Sequence, residues 1–520
     1  MPEITKNKII YDERDWLAGL HPQFGSMTIP QKFGKYARNQ LVFNPYINLG
    51  YAQNSYLNTD FTNSSSVTSR ILNTVVVGQN AYGIDSAALL HKLVILPQSV
   101  TITGGFPHTI SAHGGHSGVA GSDVCVYYHN ISTTRTRSLF YSWNDNTDGD
   151  IGKFDLSATF DDDYMSTVPA SGAVLTKGVP HPMIVGHNDI MYIGNGRYLN
   201  AYDGATGAEG TYSPNVLTLP EGYKIIAMAK LQPRSLVIFA YNDNAPGATI
   251  FRSESKAFFW DYLSLDPYQI EDLADNEVYE AFEYNGTIGC FTGGRGDYKK
   301  IKIFDGSEFK RLAKYTGTGP IHGGCDINEN EIYFNVKSGN SGVIYCYGNN
   351  DGVKNTLNIL HKVDTGTDYA PGFFKILSNL SIAASQGKDA ANGATIQYMN
   401  LSAYATEGLW YSDLVDIGDE RVRITGITVY FAKDFTGGRG ITIGLRDRYT
   451  LYNIKGLVQL ATVTSTNRIY RIKPFNYTGD TLIPPLDGVG INIVWDQGTG
   501  SAVTPVINKI VLDYEPVKIN

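Results

Sequence analysis

Phe154-Asp155, Tyr202-Asp203, Trp260-Asp261 and Phe304-Asp305 each close a short apolar run, and they follow one another at intervals of 48, 58 and 44 residues. Tyr345-Cys346-Tyr347-Gly348 comes about one interval later. Such spacing is what a four-stranded antiparallel sheet needs, so the middle of the chain is expected to be a series of propeller blades. The aromatic is expected to pack between neighbouring blades while the aspartate turns the chain. Asp203-Gly204 and Asp305-Gly306 add hairpin chemistry, with glycine expected at positive φ.

Working outward, runs of four to six residues bounded by Gly, Asn, Asp or Pro predict strands at Val75–Val77, Lys92–Ile95, Val124–Tyr128, Ser138–Trp143, Ile190–Ile193, Leu236–Tyr241, Thr287–Phe291, Glu331–Val336 and Val343–Tyr347. Glu271–Phe282 is one of the few stretches with helical periodicity. The Ala-, Gly- and Ser-rich stretch Ser385–Ala394 is the expected domain boundary. Beyond it, Ile427/Val429/Phe431, Ile441/Ile443/Leu445, Ile491/Ile493/Trp495 and Ile507–Tyr514 alternate as sandwich strands do. The predicted organisation is all-β: an extended N-terminal arm over 1–70, a β-propeller over 71–385, a linker over 386–400 and a jelly-roll-like β-sandwich over 401–520.

Composition narrows the function classes. Charged residues make up 18% of the 520, with 55 Gly, 35 Tyr and 22 Phe, which suits short strands and tight turns. A net charge of −8 argues against wrapping nucleic acid, since phosphate neutralisation requires a concentrated excess of Lys and Arg. Cys125, Cys290, Cys325 and Cys346 are scattered and form no Cys-x-x-Cys unit, so they are expected to be reduced core residues. No run is apolar enough to predict a membrane helix or a secretory signal.

Candidate chemistry is sparse. Asn144-Asp145-Asn146-Thr147-Asp148-Gly149-Asp150, followed by Asp155, loosely follows a calcium loop, but its first ligand is Asn, its last is Asp rather than Glu, and its flanks are strand-like. A polar hairpin tip accounts for it better. His108, His113 and His116 lie in a Gly- and Ser-rich segment at a spacing that matches no standard metal signature. Gly293-Gly294-Arg295-Gly296-Asp297 and Gly437-Gly438-Arg439-Gly440 precede strand-like runs, not helices, and are expected to be turns. No catalytic, cofactor-binding or metal-binding residue is therefore assigned, and no cofactor is expected.

The arm Asp15-Trp16-Leu17-Ala18-Gly19-Leu20, the blade from Leu236–Ala240 through Phe258-Phe259-Trp260-Asp261, and the C-terminal strand ending Val511–Pro516 together resemble the β-propeller tail-nozzle or tail-hub proteins of short-tailed bacteriophages. The resemblance implies a non-enzymatic virion structural protein, made in the host cytoplasm and located in the tail. It implies a ring, commonly hexameric, beneath the portal and adaptor proteins, with outer surfaces for fibres or spikes and with genomic DNA passing through without specific binding. An acidic lining would let DNA slide, consistent with the negative net charge. Trp16, Leu17 and Leu20, apolar without local partners, are expected to contact a neighbouring copy. Two other classes fit the same elements: a carbohydrate- or receptor-binding propeller-plus-sandwich protein, and a propeller glycosidase or lyase.

Overall fold

The computed structural model describes residues 70–96, 99–103, 105–110, 120–131, 134–145, 147–169, 175–242, 254–294, 298–328, 331–339 and 341–350, positions 485, 486 and 489, and the strands named below between residues 3 and 60 and between 353 and 517. Among the described residues it is all-β apart from one helical turn, Tyr164–Thr167. Two compact units divide it: 58–342 with 363–398, and 1–57 with 343–362 and 399–520.

In the first unit, consecutive strands pair antiparallel, and each of the first five sheets is finished before the next begins. The first sheet is Ile71–Val77, Asn80–Asp85, Leu89–Leu96 and Ser99–Ile102, and the second is Ala120–Ile131, Thr134–Asn144, Gly149–Phe154 and Phe160–Asp161. The third is Met183–Val185, Met191–Asn195, Tyr198–Asp203 and Thr211–Thr218. The fourth is Tyr223–Leu231, Ser235–Asn242, Glu254–Trp260 and Gln269–Asp272; the fifth is Glu277–Tyr284, Thr287–Gly293, Tyr298–Phe304 and Phe309–Thr316. A sixth opens with the hairpin Cys325–Asn328/Glu331–Ser338, and a seventh contains Tyr369–Ile376, Ile382–Lys388 and Ala394–Asn400. The leading strands lie side by side in chain order, and Tyr369–Ile376 meets both the sixth sheet and Ile71–Val77, which closes the ring. This is a β-propeller arrangement. Ser55–Asp60, from the N-terminal side, is the fourth strand of the seventh sheet, which couples the two ends of the series.

The aromatic-aspartate pairs mark the end of the third strand in the second to fifth sheets. Phe154, Tyr202, Trp260 and Phe304 are all buried, each in the apolar layer between its own sheet and the one before. Phe154 packs with Tyr82 and Leu90, Tyr202 with Tyr127 and Phe140, Trp260 with Tyr192 and Leu199, and Phe304 with Ala229 and Val237. The aspartates turn the chain by accepting backbone N–H groups two to four residues ahead: Asp155 from Ser157, Ala158 and Thr159, Asp203 from Ala205, Asp261 from Leu263 and Ser264, and Asp305 from Ser307 and Glu308. Gly306 has φ +102 as expected. Gly204 differs, because it is selected for close approach: a Cβ there would lie 2.7 Å from the Tyr127 ring, whose hydroxyl accepts the Gly204 N–H at 2.9 Å.

Several expectations are redrawn. Glu271–Phe282 is not helical: Ala274 adopts φ +52 in a turn, and Glu277–Tyr284 alternates buried and partly exposed residues as a strand. Within 386–400, read as a linker, Gln386 pairs with Thr395 and Gly387 with Ala394, because Ala, Ser and Gly are as compatible with a strand as with a loop. In the arm, Lys8–Asp12 pairs with Ile507–Val517. Trp16, Leu17 and Leu20 lie outside the described residues.

The described strands of the second unit lie in two sheets. One orders Glu3–Thr5, Lys8–Asp12, Ile507–Val517, Arg421–Phe431 and Ile469–Ile472. The other contains Val353–Val363, Tyr36–Arg38, Glu407–Tyr411, Gly490–Asp496, Phe435–Arg446 and Leu451–Asn453, with Leu460–Val463 also paired to Phe435–Arg446. Ile427, Val429, Ile510 and Leu512 are buried in the first, and Ile443, Leu445, Ile491 and Ile493 in the second.

If the aromatics hold neighbouring sheets together, Phe154→Ala should lower unfolding free energy by about 3–5 kcal/mol. Asp155→Ala, which removes only a turn acceptor, should cost about 1 kcal/mol. Denaturant titration of the two variants would separate these contributions.

Candidate functional site

Polar chemistry collects where the leading strands converge. Each leading strand of the first, second, fourth and fifth sheets has a register shift near its start, at Ile71/Asn73, Gly121/Val124, Ile225/Ala227 and Val278/Glu280. Bulges re-aim side chains, and three of them lie at or beside residues of one partly buried cluster: Asn73, Asp123 and Glu280. The loop joining the fifth sheet to the sixth adds His322.

His322 bridges two carboxylates. Its Nε2 is 3.0 Å from Asp123 Oδ2, and its Nδ1 is 3.1 Å from Glu280 Oε2. The Asp123 side chain is 1% exposed. Asp123 also accepts the N–H groups of Val124 at 2.7 Å and Met183 at 2.6 Å, and the Asn73 side-chain amide. Glu280 accepts the N–H groups of Ala281 at 2.8 Å and Gly323 at 2.6 Å. Gly323 has φ +83 and a Cβ there would overlap Asn73, so glycine is required for the loop to enter. The loop is anchored further by Phe374 N–H to Gly323 O and Asn335 N–H to Gly324 O, both 2.9 Å. One network thus draws residues from the first, second, third, fifth, sixth and seventh sheets.

Burial by itself would disfavour charge on His322, but the Glu280 and Asp123 carboxylates outweigh it and hold the imidazole well above its ordinary range. This favours the charged form of the ring, in which both nitrogens donate. Cys325, three residues on, has its thiol pushed well above the usual range by burial, with Glu280 adding to the effect, so no thiolate–imidazolium pair forms here. The cluster acts as a clamp.

The sequence candidates fall elsewhere. In the Asn144–Asp150 loop, Asp145 Oδ1 accepts Thr147 N–H at 2.6 Å and Asp148 N–H at 2.9 Å, and Asn144 Oδ1 is 2.9 Å from His181 Nε2. Asp150 is buried, which pushes its carboxyl up to about 7. These contacts describe a braced hairpin, and among the described residues no group of three or more His, Cys, Asp or Glu is arranged to hold a metal. His108 pairs with Asp162 at 2.9 Å and stacks on Phe160 with centroids 3.8 Å apart. His113, His116 and Arg295–Asp297 lie outside the described residues. No cysteine is in a disulfide among those described; burial pushes Cys125 up to about 12. Sequence reasoning missed Asn73, Asp123, Glu280 and His322 altogether.

No family model matches this chain, and no curated protein matches it. Among solved structures it is similar to the computationally designed Ika8 protein, at 13% identity and TM-score 0.37, covering 64% of this chain and 96% of that one. It is similar also to the Dos1 propeller, at 9% identity and TM-score 0.41, covering 66% and 94%. Chaetomium thermophilum Raptor matches at 9% identity and TM-score 0.41, covering 64% of this chain and 28% of that one.

A raised imidazole pKa contributes stability that is fully present below the unfolded value of about 6.5 and is lost as pH rises through the folded value. Thermal unfolding should therefore occur at progressively lower temperature as pH rises above about 6.5. His322→Gln should lower the melting temperature at acidic pH and remove most of that alkaline slope; a variant that keeps the slope would disprove the clamp.

Proposed function

We propose that this chain is a non-enzymatic structural protein that assembles with further copies of itself into a ring, the role implied by its resemblance to phage tail-nozzle proteins. One observation carries the proposal. Leu263 and Leu265 are 88% and 85% exposed, and Tyr268 and Ile270 beside them are 53% and 50% exposed, all on the outer margin of the fourth sheet. Several large apolar side chains held in water within eight residues mark a surface that another molecule covers.

The ridge is rigid. Asp261 holds the Leu263 and Ser264 N–H groups, Trp260 Nε1 donates to Ser264 O at 2.6 Å, and Tyr268 Oη is 2.8 Å from Ser235 Oγ. Asp261, Asp266, Glu271 and Asp272 flank it with negative charge. The second sheet offers a complementary surface: Tyr128 is 48% exposed, with the Arg135 and Arg137 guanidinium carbons 6.0 and 5.9 Å from its ring centroid. Two different surfaces that fit one another generate a head-to-tail contact, and such contacts form a ring when the rotation between copies closes. In this reading the C-terminal unit packs its two sheets face to face as a sandwich, in keeping with the buried alternate residues of each. The ring forms part of a virion tail, meets adaptor-side proteins and fibres, and passes DNA without binding a sequence.

Light scattering on the purified chain should give a mass of about six copies. The double variant Leu263→Asp/Leu265→Asp should be monomeric with its melting temperature nearly unchanged, and Arg137→Glu should weaken assembly as well. A wild-type chain that stays monomeric at high micromolar concentration would exclude the ring.

A further inference from the structure

Asparagine is followed by glycine at three places in the chain, Asn195-Gly196, Asn285-Gly286 and Asn392-Gly393. Such a pair sets an electrophile beside a nucleophile, because the glycine nitrogen, with no side chain to shield it, is within reach of the asparagine amide carbon. Asn392 and Gly393 lie outside the described residues. The other two pairs both stand at the tip of a hairpin, and the fold treats them in opposite ways.

Asn195 ends the second strand of the third sheet and is 7% exposed. Its Oδ1 accepts the Thr176 N–H at 2.7 Å. The turn beyond it is tied down as well, with Gly196 O accepting Ile225 N–H at 2.8 Å and Arg197 O accepting Leu219 N–H at 2.9 Å. The amide is therefore held away from the Gly196 nitrogen.

Asn285 and Gly286 are the two central residues of the turn that joins Glu277–Tyr284 to Thr287–Gly293, with Tyr284 opposite Thr287. Their φ angles of +48 and +76 are those of the mirror-image turn that this dipeptide favours. Both residues are exposed, and a Cβ placed on Gly286 would meet nothing within 4 Å. Among the described residues no hydrogen bond holds the Asn285 side chain. Exposed turn tips open locally at little cost, and opening brings the amide carbon to the Gly286 nitrogen.

We propose that Asn285 is a site of non-enzymatic deamidation and that the fold protects Asn195 from the same reaction. The Gly286 nitrogen forms a bond to Asn285 Cγ and gives up its proton, while the Cγ–Nδ2 bond breaks and ammonia leaves, closing a succinimide. Water then opens that ring at either carbonyl, leaving aspartate or isoaspartate with no change of oxidation state. Either product adds negative charge two residues from Glu283, whose carboxylate is 3.9 Å from Lys230 Nζ of the fourth sheet. Isoaspartate also routes the main chain through Cβ, which loosens the turn of the hairpin that carries Glu280. The reaction needs one chain and is independent of ring assembly.

The test is peptide mapping by mass spectrometry of the full chain after incubation at mildly alkaline pH, with a parallel arm in denaturant. In the folded chain the mass gain of an amide-to-acid change should accumulate at Asn285, with isoaspartate among the products. Asn195 should convert at least about tenfold more slowly, since the cost of local opening enters the rate directly. In denaturant the two sites should react at similar rates. Asn285→Gly, which suits positive φ, should lose the product and keep the melting temperature of the fresh chain. Persistence of the amide at 285 in the folded chain, or equal folded-state rates at the two sites, would each overturn the proposal.

Discussion

An imidazolium held between two carboxylates, His322 between Asp123 and Glu280, is the interaction on which the propeller unit depends. Leading strands that converge on an axis bring backbone amides and polar side chains together where little water enters. A carboxylate as enclosed as that of Asp123 is costly without a countercharge and enough donors. His322 supplies the charge to both acids at once, and the N–H groups of Val124, Met183, Ala281 and Gly323 complete the set. Without the imidazole, two carboxylates would remain close together and uncompensated. The Gly323 backbone then carries the same loop to the seventh sheet, so charge pairing and ring closure share one loop.

Away from the axis a different economy holds. Neighbouring sheets meet through aromatic layers, and each layer takes a residue from the end of a third strand whose successor makes the turn. Trp260 shows the coupling: its ring packs with Tyr192 at 5.5 Å between centroids, its Nε1 donates to Ser264 O, and Asp261 fixes the loop between them. The loop that the pair creates in the fourth sheet is also the one that holds Leu263 and Leu265 in water. Local turn chemistry, intersheet packing and the proposed assembly surface therefore meet in five residues. This leaves the axial groups engaged in structure and directs the proposed contacts outward, to the rim.

The repeated pairs were legible because everything they need is local or periodic. An aspartate reaches N–H groups two to four residues ahead, and an aromatic at a fixed strand position meets the preceding sheet each time. The strand runs were legible for the same reason. Glu271–Phe282 misled because its apolar spacing satisfies two periods, and only pairing of Glu277–Tyr284 with Thr287–Gly293 selects the extended one. Ser385–Ala394 misled because Ala, Ser and Gly are common both in loops and in closely packed strands.

The sequence by itself determined an all-β chain, a succession of blade-sized units and the turn that ends each third strand, since these follow from neighbours within a few residues. Only the tertiary structure decided which strand completes the last sheet and which acids meet His322. Asn73, Asp123 and Glu280 are separated from His322 by 249, 199 and 42 positions, and strand bulges turn three otherwise ordinary polar residues toward one point. No local pattern encodes a contact that exists only once a ring of sheets has closed.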